Sequence, residues 1–217
     1  MNRLPFTADQ FYQVFARYNE ALWPVAVLWW LTTLALAVAA WRIPAASRWL
    51  MSLVGLLWAW NAVVYHAWLF TAINPAAWVF AGLFLAQAGL LAYAGRRAVQ
   101  PFFHAQGWRR SLGVGLTAYA FLYPFLTIAA GHRFPATPTF GVPCPTVILT
   151  IGLFLTMPAV PGRLTVVPVL WAFVGGSAAY LLNVPTDYPL LGGGVLLAWV
   201  AIRQSYSSSR GRRRRSS

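Results

Sequence analysis

Long apolar runs, each bounded by arginine, proline or tryptophan, are the feature that most limits how this chain can fold. A membrane-spanning helix needs about 20 mostly apolar residues to cross the roughly 30 Å hydrocarbon core of a bilayer, and seven runs approach that length. They extend approximately from Trp23 to Trp41, Trp49 to Phe70, Ala76 to Ala94, Leu112 to Ala130, Thr146 to Val160, Leu164 to Leu182 and Tyr188 to Ile202. Only 9% of the residues are charged and the mean hydropathy is +0.61, which a soluble domain with a solvated surface does not reach. The sequence therefore predicts an all-α protein, a polytopic transmembrane helix bundle with seven spans.

The placement of arginine predicts the orientation of these spans. All sixteen basic residues are arginines, and positive residues in short loops stay on the cytoplasmic side of a membrane. With the N-terminus outside, thirteen arginines fall inside and only Arg3, Arg17 and Arg133 fall outside. If the short fifth run were re-entrant, the arginine-rich C-terminal tail would move outside, against this rule. We therefore expect a multi-pass protein of the plasma membrane with its N-terminus outside and its C-terminus in the cytoplasm.

Two terminal segments differ from the apolar domain between them, which covers residues 23–203. In residues 1–22, Phe11, Val14 and Phe15 share one face of a helix, and Thr7 with Gln10 fits a capping box. We expect this segment to be a short amphipathic helix on the outer membrane surface. Residues 204–217 have too little apolar surface to fold and are expected to be a disordered, polybasic cytoplasmic tail.

Polar residues within apolar spans are costly and tend to mark function. Asn61 lies near the middle of the second run, and Tyr65 follows one turn later on the same face. We expect both to be intramembrane polar residues of the bundle.

Candidate metal ligands gather on the predicted outer side. His66 ends the second run, His132 and Cys144 bracket a proline-rich loop between the fourth and fifth runs, and Asp187 lies in the last outer loop. If the proline-rich loop folds inward, a thiolate, two imidazoles and a carboxylate would favour a soft or borderline metal ion such as copper, zinc or mercury. The sequence thus raises the hypothesis of a metal site at His66, His132, Cys144 and Asp187, or of groups that handle protons for a solute.

The same residues allow a plainer interpretation. Histidine and cysteine are tolerated at a membrane interface, Asp187 can cap the seventh helix, and the arginine rule alone leaves acidic residues outside. Paired CxxC or HxxxH spacing is absent from the sequence, although such spacing is typical of metal sites. Both interpretations remain open at this stage.

Motifs of several other protein classes are missing. The chain has no GxSxG, P-loop, GxGxxG or paired intramembrane carboxylates, so the sequence does not favour an enzyme and identifies no catalytic residue. The arginines lie between and beyond the apolar runs, which predicts anionic lipid at the inner arginine clusters and argues against nucleic acid as a partner. Glycines in the last two runs, Gly175, Gly176 and Gly192 to Gly194, are expected to let those helices approach closely.

Two stretches carry a family resemblance. "LPFTADQFYQVFARYNEALWP" at the N-terminus and "FPATPTFGVPCPT" before the fifth run resemble a family of uncharacterised bacterial multi-pass membrane proteins, classed as a domain of unknown function and sometimes labelled permease. The resemblance extends over nearly the whole chain up to the arginine tail. It implies the fold and a location in the bacterial inner membrane, and it transfers no catalytic residue.

Two functions from different classes fit these observations. The first is a small membrane protein that binds a small solute or a metal ion from its outer face, either without transporting it or as a step in its transport. The second is a non-transporting membrane subunit that serves as a scaffold for a partner protein, whose identity the sequence does not give. An enzyme acting on a lipid or quinone at the outer interface ranks third, because one thiol and two histidines without a carboxylate pair make a poor catalytic set.

Overall fold

The computed structural model describes residues 4–97 and 100–213, and in this part of the chain all regular secondary structure is helical, without β-strands. This confirms the predicted all-α class. Seven α-helices follow one another: α1 (Ala8–Arg42), α2 (Ser47–Trp60), α3 (Ala77–Gly95), α4 (Trp108–Ala129), α5 (Pro143–Thr156), α6 (Val166–Leu182) and α7 (Tyr188–Arg213). Each contains most of one apolar run of the sequence, because an apolar segment can satisfy its backbone hydrogen bonds internally only as a helix.

The first helix is longer than expected. The predicted capping box is confirmed, since the Gln10 amide donates to Thr7 Oγ1 and the Thr7 amide donates to Gln10 Oε1. The helix then continues for 35 residues, about 52 Å at 1.5 Å per residue. The predicted separate interfacial helix is therefore absent from the described residues, where its sequence forms the first half of α1. Pro24 lies inside the helix and removes one backbone hydrogen bond without ending it.

The second helix changes its winding near its end. After Trp60 the chain forms a π-helix (Asn61–Leu69) and then a short 3₁₀ turn (Phe70–Ala72). A π-helix has a wider turn than an α-helix and is rare over nine residues. It brings Tyr65 and the adjacent His66 both into the interior, where each is buried.

The short fifth helix is the centre of the bundle. All of its 14 residues except Cys144 are buried, and it packs against α2, α4, α6 and α7. The tightest approach is to α4, where a Cβ atom added to Gly152 would lie 2.7 Å from the Thr117 amide nitrogen. The predicted glycine contact between α6 and α7 is also present, since a Cβ on Gly176 would lie 2.8 Å from Leu191 Cβ.

The outward faces of the other helices are apolar. Large side chains such as Leu28, Leu85, Phe125 and Phe173 are each about half exposed or more, an arrangement that water would disfavour and lipid would favour. Five helical stretches are long and apolar enough to cross a membrane: Ala8–Arg42, Pro44–Ala72, Ala77–Gly95, Trp108–Ala129 and Gly162–Leu182. These features indicate a membrane protein. By the same criteria α5 and α7 are not among the spans, so the seven-span topology remains a prediction.

Successive helices run in opposite directions, which gives the bundle two different ends. Where α1 ends, the Arg110 guanidinium lies over the Trp41 ring at 5.1 Å from its centroid, and Arg109 donates to the Met157 carbonyl oxygen at 2.7 Å. The start of α4 therefore meets the ends of α1 and α5 here, and we call this the basic end. The opposite end, where α1 begins, contains a cavity between the helices and is called the cavity end.

The C-terminal tail differs from expectation as far as it is described. Residues 204–217 were expected to be disordered, yet α7 remains helical to Arg213. Once a helix is nucleated, each added residue costs little, and Ser205 Oγ donates back to the Ala201 carbonyl oxygen within this extension. The remaining residues, 214–217, lie outside the described part of the chain.

Candidate functional site

A cavity of about 160 Å³ opens at the cavity end. It lies between the N-terminal segment with the start of α1, the π-helix that follows α2, α4, the start of α5, and α6. Eight of its 21 lining residues are aromatic, among them Phe11, Phe15, Tyr65, Phe70, Tyr123 and Trp171. A concave, mostly apolar site with a few convergent polar groups is the usual form of a small-molecule site.

Three polar groups of this cavity come together from separate elements. Asp187, in the turn before α7, is 4% exposed and accepts a hydrogen bond from the Tyr123 hydroxyl of α4 at 2.5 Å. Burial raises the pKa of the Asp187 carboxyl to about 6, while hydrogen bonds from Tyr123 and the Cys144 thiol of α5 act in the opposite direction. Within the described part of the chain, Asp187 has no ion-pair partner.

The turn that carries Asp187 is fixed at both sides. Asn183 ends α6 in the left-handed conformation, with φ 54°, and the Val184 amide then donates to the Ala179 carbonyl oxygen at 2.8 Å, as is common at helix C-termini. Tyr119 of α4 donates to the Thr186 carbonyl oxygen at 2.8 Å. The Asp187 carboxylate is thereby directed to Tyr123 on another helix rather than to the N-terminus of α7, which the plainer interpretation expected it to cap.

The proline-rich loop forms a further side of the cavity and is held by α1. Asn19 is fully buried and donates to the carbonyl oxygens of Pro135 at 2.6 Å and Thr137 at 2.7 Å, while it accepts from Thr139 Oγ1 at 2.6 Å. Gly141 has φ +89°, and a Cβ atom there would lie 2.8 Å from the Tyr18 hydroxyl oxygen. The loop thus packs tightly onto α1 and positions the start of α5, with Cys144, beside the cavity.

Two of the four predicted metal ligands, Cys144 and Asp187, line this cavity together. His66 lies apart from them, fully buried among aromatic rings. Its ring centroid is 4.6 Å from that of Phe84 and 5.0 Å from that of Trp171, and neither ring nitrogen has a hydrogen-bond partner. The π-helix explains this position, because it turns His66 inward rather than toward the outer boundary.

His132 is also separate from the cavity. Its ring packs against Tyr12 with 4.7 Å between centroids, and its Nε2 is 3.4 Å from the Tyr12 hydroxyl oxygen. Among the described residues no group of three histidine, cysteine, aspartate or glutamate side chains is arranged to hold a metal ion. The geometry therefore brings together a thiol and a carboxylate, and it leaves both imidazoles elsewhere.

The two predicted intramembrane polar residues have different surroundings. Asn61 is fully buried and donates to Thr146 Oγ1 at 3.1 Å, which links α2 to α5. One turn earlier, Trp58 Nε1 donates to Thr150 Oγ1 at 3.0 Å. Tyr65 instead lines the cavity. Asn61 is thus part of a structural ladder between two helices, and Tyr65 is part of the candidate site.

Comparison with known proteins gives one family. The model of DUF6064, described as a family of unknown function, matches residues 8–212. The chain belongs to this family. The match confirms the resemblance to an uncharacterised family and includes every α-helix that lines the cavity. No curated protein and no solved structure matched the chain, so the function of this DUF6064 member has to be inferred from the site itself.

Sequence reasoning missed Tyr123 and Trp171, which complete the site in this family member. Tyr119 and Tyr123 stand four residues apart in a mostly apolar helix, so they share one face. That spacing was a usable signal, because a tyrosine hydroxyl within an apolar bundle needs a hydrogen-bond partner. Trp171 gave no comparable signal, since tryptophan is common throughout the chain.

Proposed function

We propose that this protein is a multi-pass protein of the bacterial inner membrane that binds a small solute in the cavity and receives it from the outer face. The observation that carries the proposal is the buried carboxylate of Asp187 in a mostly apolar cavity that is rich in aromatic side chains. Burying a carboxylate without a positive partner is costly, and a scaffold that only presents an apolar surface has no need of it. The solute-binding function is therefore favoured over the non-transporting scaffold.

An organic solute fits this cavity better than a metal ion. Structural and catalytic metal sites use three or four protein ligands, whereas the described cavity brings only Cys144 and Asp187 together. Its lining is otherwise aromatic and aliphatic, with Asn74 and Ser177 among the few polar side chains. Such a wall favours contact with carbon atoms over coordination of an ion.

Access to the cavity is testable with the chain's only cysteine. Methyl methanethiosulfonate, a small neutral reagent, should modify Cys144 in detergent-purified protein, with the extent read by intact mass spectrometry. Ala178→Trp, which places a large ring in the cavity wall, should slow the modification at least about tenfold, because it fills the space that a solute would use. The matched control is Val166→Trp, an exposed position on the same helix at the basic end. Equal rates in the two variants would contradict the proposal.

The proposed orientation places the cavity end outside the cell. It is supported by the arginine distribution, with thirteen of sixteen arginines on the predicted inner side. Alkaline phosphatase fused after Pro75, Pro138 or Val184 should be active, and fusions after Gln106 or Ser217 should be inactive. An active fusion at Ser217 would contradict both the seven spans and the cytoplasmic C-terminus.

Anionic lipid is the partner we propose for the basic end. Several arginines there lie over aromatic rings, which holds their side chains at the edge of the apolar bundle. Arg203 lies 4.5 Å from the centroid of Trp199, and Arg48 lies 4.9 Å from that of Trp49. Tryptophan rings and guanidinium groups at the end of a helical bundle both interact favourably with the headgroup region of an anionic leaflet. Native mass spectrometry should detect more bound phosphatidylglycerol in the natural protein than in Arg48→Gln/Arg203→Gln.

A further inference from the structure

We propose that the solute is a small organic cation, an alkylammonium or quaternary ammonium ion, with Asp187 as its counter-charge and the surrounding rings as its walls. This inference rests on the proposed solute-binding function and specifies the chemistry of the ligand.

The charge of the cavity is the first argument. Asp187 is the only buried residue among the three acidic residues of the chain, since Asp9 and Glu20 are exposed. The lining contains no arginine or histidine within the described residues. The cavity therefore carries one negative charge in a protein whose formal net charge is +13. A positively charged ligand supplies the counter-charge that the chain itself does not provide.

The aromatic wall is the second argument. The faces of tryptophan, tyrosine and phenylalanine attract cations, and rings arranged around a site are the usual means of binding a quaternary ammonium group. Trp171, Tyr65 and Phe15 come from three different helical segments and all line the same space. Tyr65 and Phe70 lie stacked with 5.6 Å between their centroids, which holds one part of the wall firmly in place.

The size of the cavity limits the ligand. At about 160 Å³ it resembles cavities of about 150 Å³ that take up benzene. A butylammonium or tetramethylammonium ion is of this order, whereas a lipid headgroup with its glycerol backbone is larger. Anions are disfavoured by the carboxylate, and an apolar neutral molecule would leave that carboxylate without a counter-charge.

Charge selectivity at Cys144 provides the test. Two methanethiosulfonate reagents share one reactive group and differ in charge: the trimethylammonium-ethyl reagent is cationic and the sulfonatoethyl reagent is anionic. With either, the Cys144 thiolate attacks the reagent's sulfenyl sulfur, a disulfide forms and methanesulfinate leaves. For each reagent, the rate of Cys144 modification is divided by the rate at which the same reagent modifies a small free thiol. This ratio cancels intrinsic differences in reactivity between the reagents.

We expect the normalised rate to be at least about tenfold higher for the cationic reagent, which corresponds to a difference of about 1.4 kcal/mol in activation free energy. The positive net charge of the protein would by itself favour the anionic reagent. Asp187→Asn keeps an oxygen for the Tyr123 hydroxyl and should bring the ratio close to one. The matched control Glu20→Gln removes an exposed carboxylate and should leave the ratio unchanged. Equal normalised rates in the natural protein would overturn the inference, and this result requires no variant to fold.

Protection separates this inference from the function on which it rests. Butylammonium should slow modification of Cys144 by the neutral methyl reagent several-fold more than butanol at the same concentration. If both slow it equally, the cavity binds solutes without charge preference, and only the cation inference fails. If neither slows it and Ala178→Trp also has no effect, the solute-binding function fails with it.

Discussion

Tyr123 of α4 donates its hydroxyl hydrogen to Asp187 Oδ1 at 2.5 Å, which joins the middle of the bundle to the turn before α7. Four residues earlier on the same face, Tyr119 donates to the Thr186 carbonyl oxygen. The first bond fixes the carboxylate itself, and the second fixes only the backbone that carries it. This difference allows the electrostatic role of Asp187 to be separated from the shape of the turn.

Replacing Tyr123 should therefore change the titration of the cavity. The Tyr123 hydrogen bond lowers the pKa of Asp187 against the effect of burial, so Tyr123→Phe should move that pKa above about 6. The preference of Cys144 for the cationic reagent disappears when the carboxyl is protonated, and its midpoint should shift to higher pH in Tyr123→Phe. Labelling both proteins across a pH series measures the shift. Tyr119→Phe is the control and should keep the natural midpoint, while an unchanged midpoint in Tyr123→Phe would count against this role.

The pH dependence of the protein's stability should also reflect the raised pKa of Asp187. Its pKa is raised from 3.8 to about 6 on folding, so the folded state binds more protons than the unfolded state between these values. The stability that this group contributes is full below pH 3.8 and is lost as pH rises through about 6. Asp187→Asn should therefore raise the thermal unfolding midpoint in detergent more at about pH 8 than at about pH 4.5. An equal change of the midpoint at the two pH values would contradict the raised pKa of Asp187.

Much of the fold could be predicted from the sequence, because an apolar run of sufficient length has few alternatives to a helix. The positions of α3 and α4 illustrate this, since both were predicted to within a few residues. The cavity could not be predicted in the same way. It depends on which helix faces meet and on a π-helix that places Tyr65 in the cavity wall. It also depends on a contact between Cys144 and Asp187, which are 43 residues apart in the sequence. Hydropathy contains no information about such contacts.

The clamp between α1 and the proline-rich loop should be essential to the shape of the cavity. Asn19→Ala removes three hydrogen bonds and leaves the part-buried carbonyl oxygen of Pro135 and the buried one of Thr137 without this donor. Each unsatisfied buried group costs about 1–3 kcal/mol, so the thermal midpoint should fall by roughly 5 °C or more. The loop should also loosen and expose Cys144, which the neutral reagent would detect as faster modification. Gln13→Ala, at an exposed position of the same helix, should change neither quantity, and equal behaviour of the two variants would contradict the clamp.

A side chain at Gly152 should weaken the contact between α4 and α5. A Cβ atom there would meet the Thr117 amide nitrogen at 2.7 Å and the Gly113 carbonyl oxygen at 2.9 Å, and both are backbone atoms. Overpacking of this kind costs about 1–3 kcal/mol, so Gly152→Ala should lower the thermal midpoint by roughly 3–10 °C. Gly115 of α4 has open space around it, and Gly115→Ala should leave the midpoint unchanged or raise it, since alanine favours helix. A stable Gly152→Ala protein would mean that the two helices can separate without loss.

Replacement of His66 should show whether its imidazole only packs in the aromatic core or has a polar function. Both ring nitrogens are buried without a hydrogen-bond partner, and replacing an unsatisfied polar group by an apolar one of similar size is close to neutral or stabilising. We expect His66→Leu to keep or raise the thermal midpoint and to leave the charge preference at Cys144 unchanged, because His66 does not line the cavity. Asn61→Leu, in the same segment, removes the bond to Thr146 and should lower the midpoint instead. If His66→Leu lowers the midpoint as far as Asn61→Leu does, the His66 imidazole has a polar partner in the folded protein. If it abolishes binding of zinc or copper to the purified protein, the metal-site hypothesis regains support at His66.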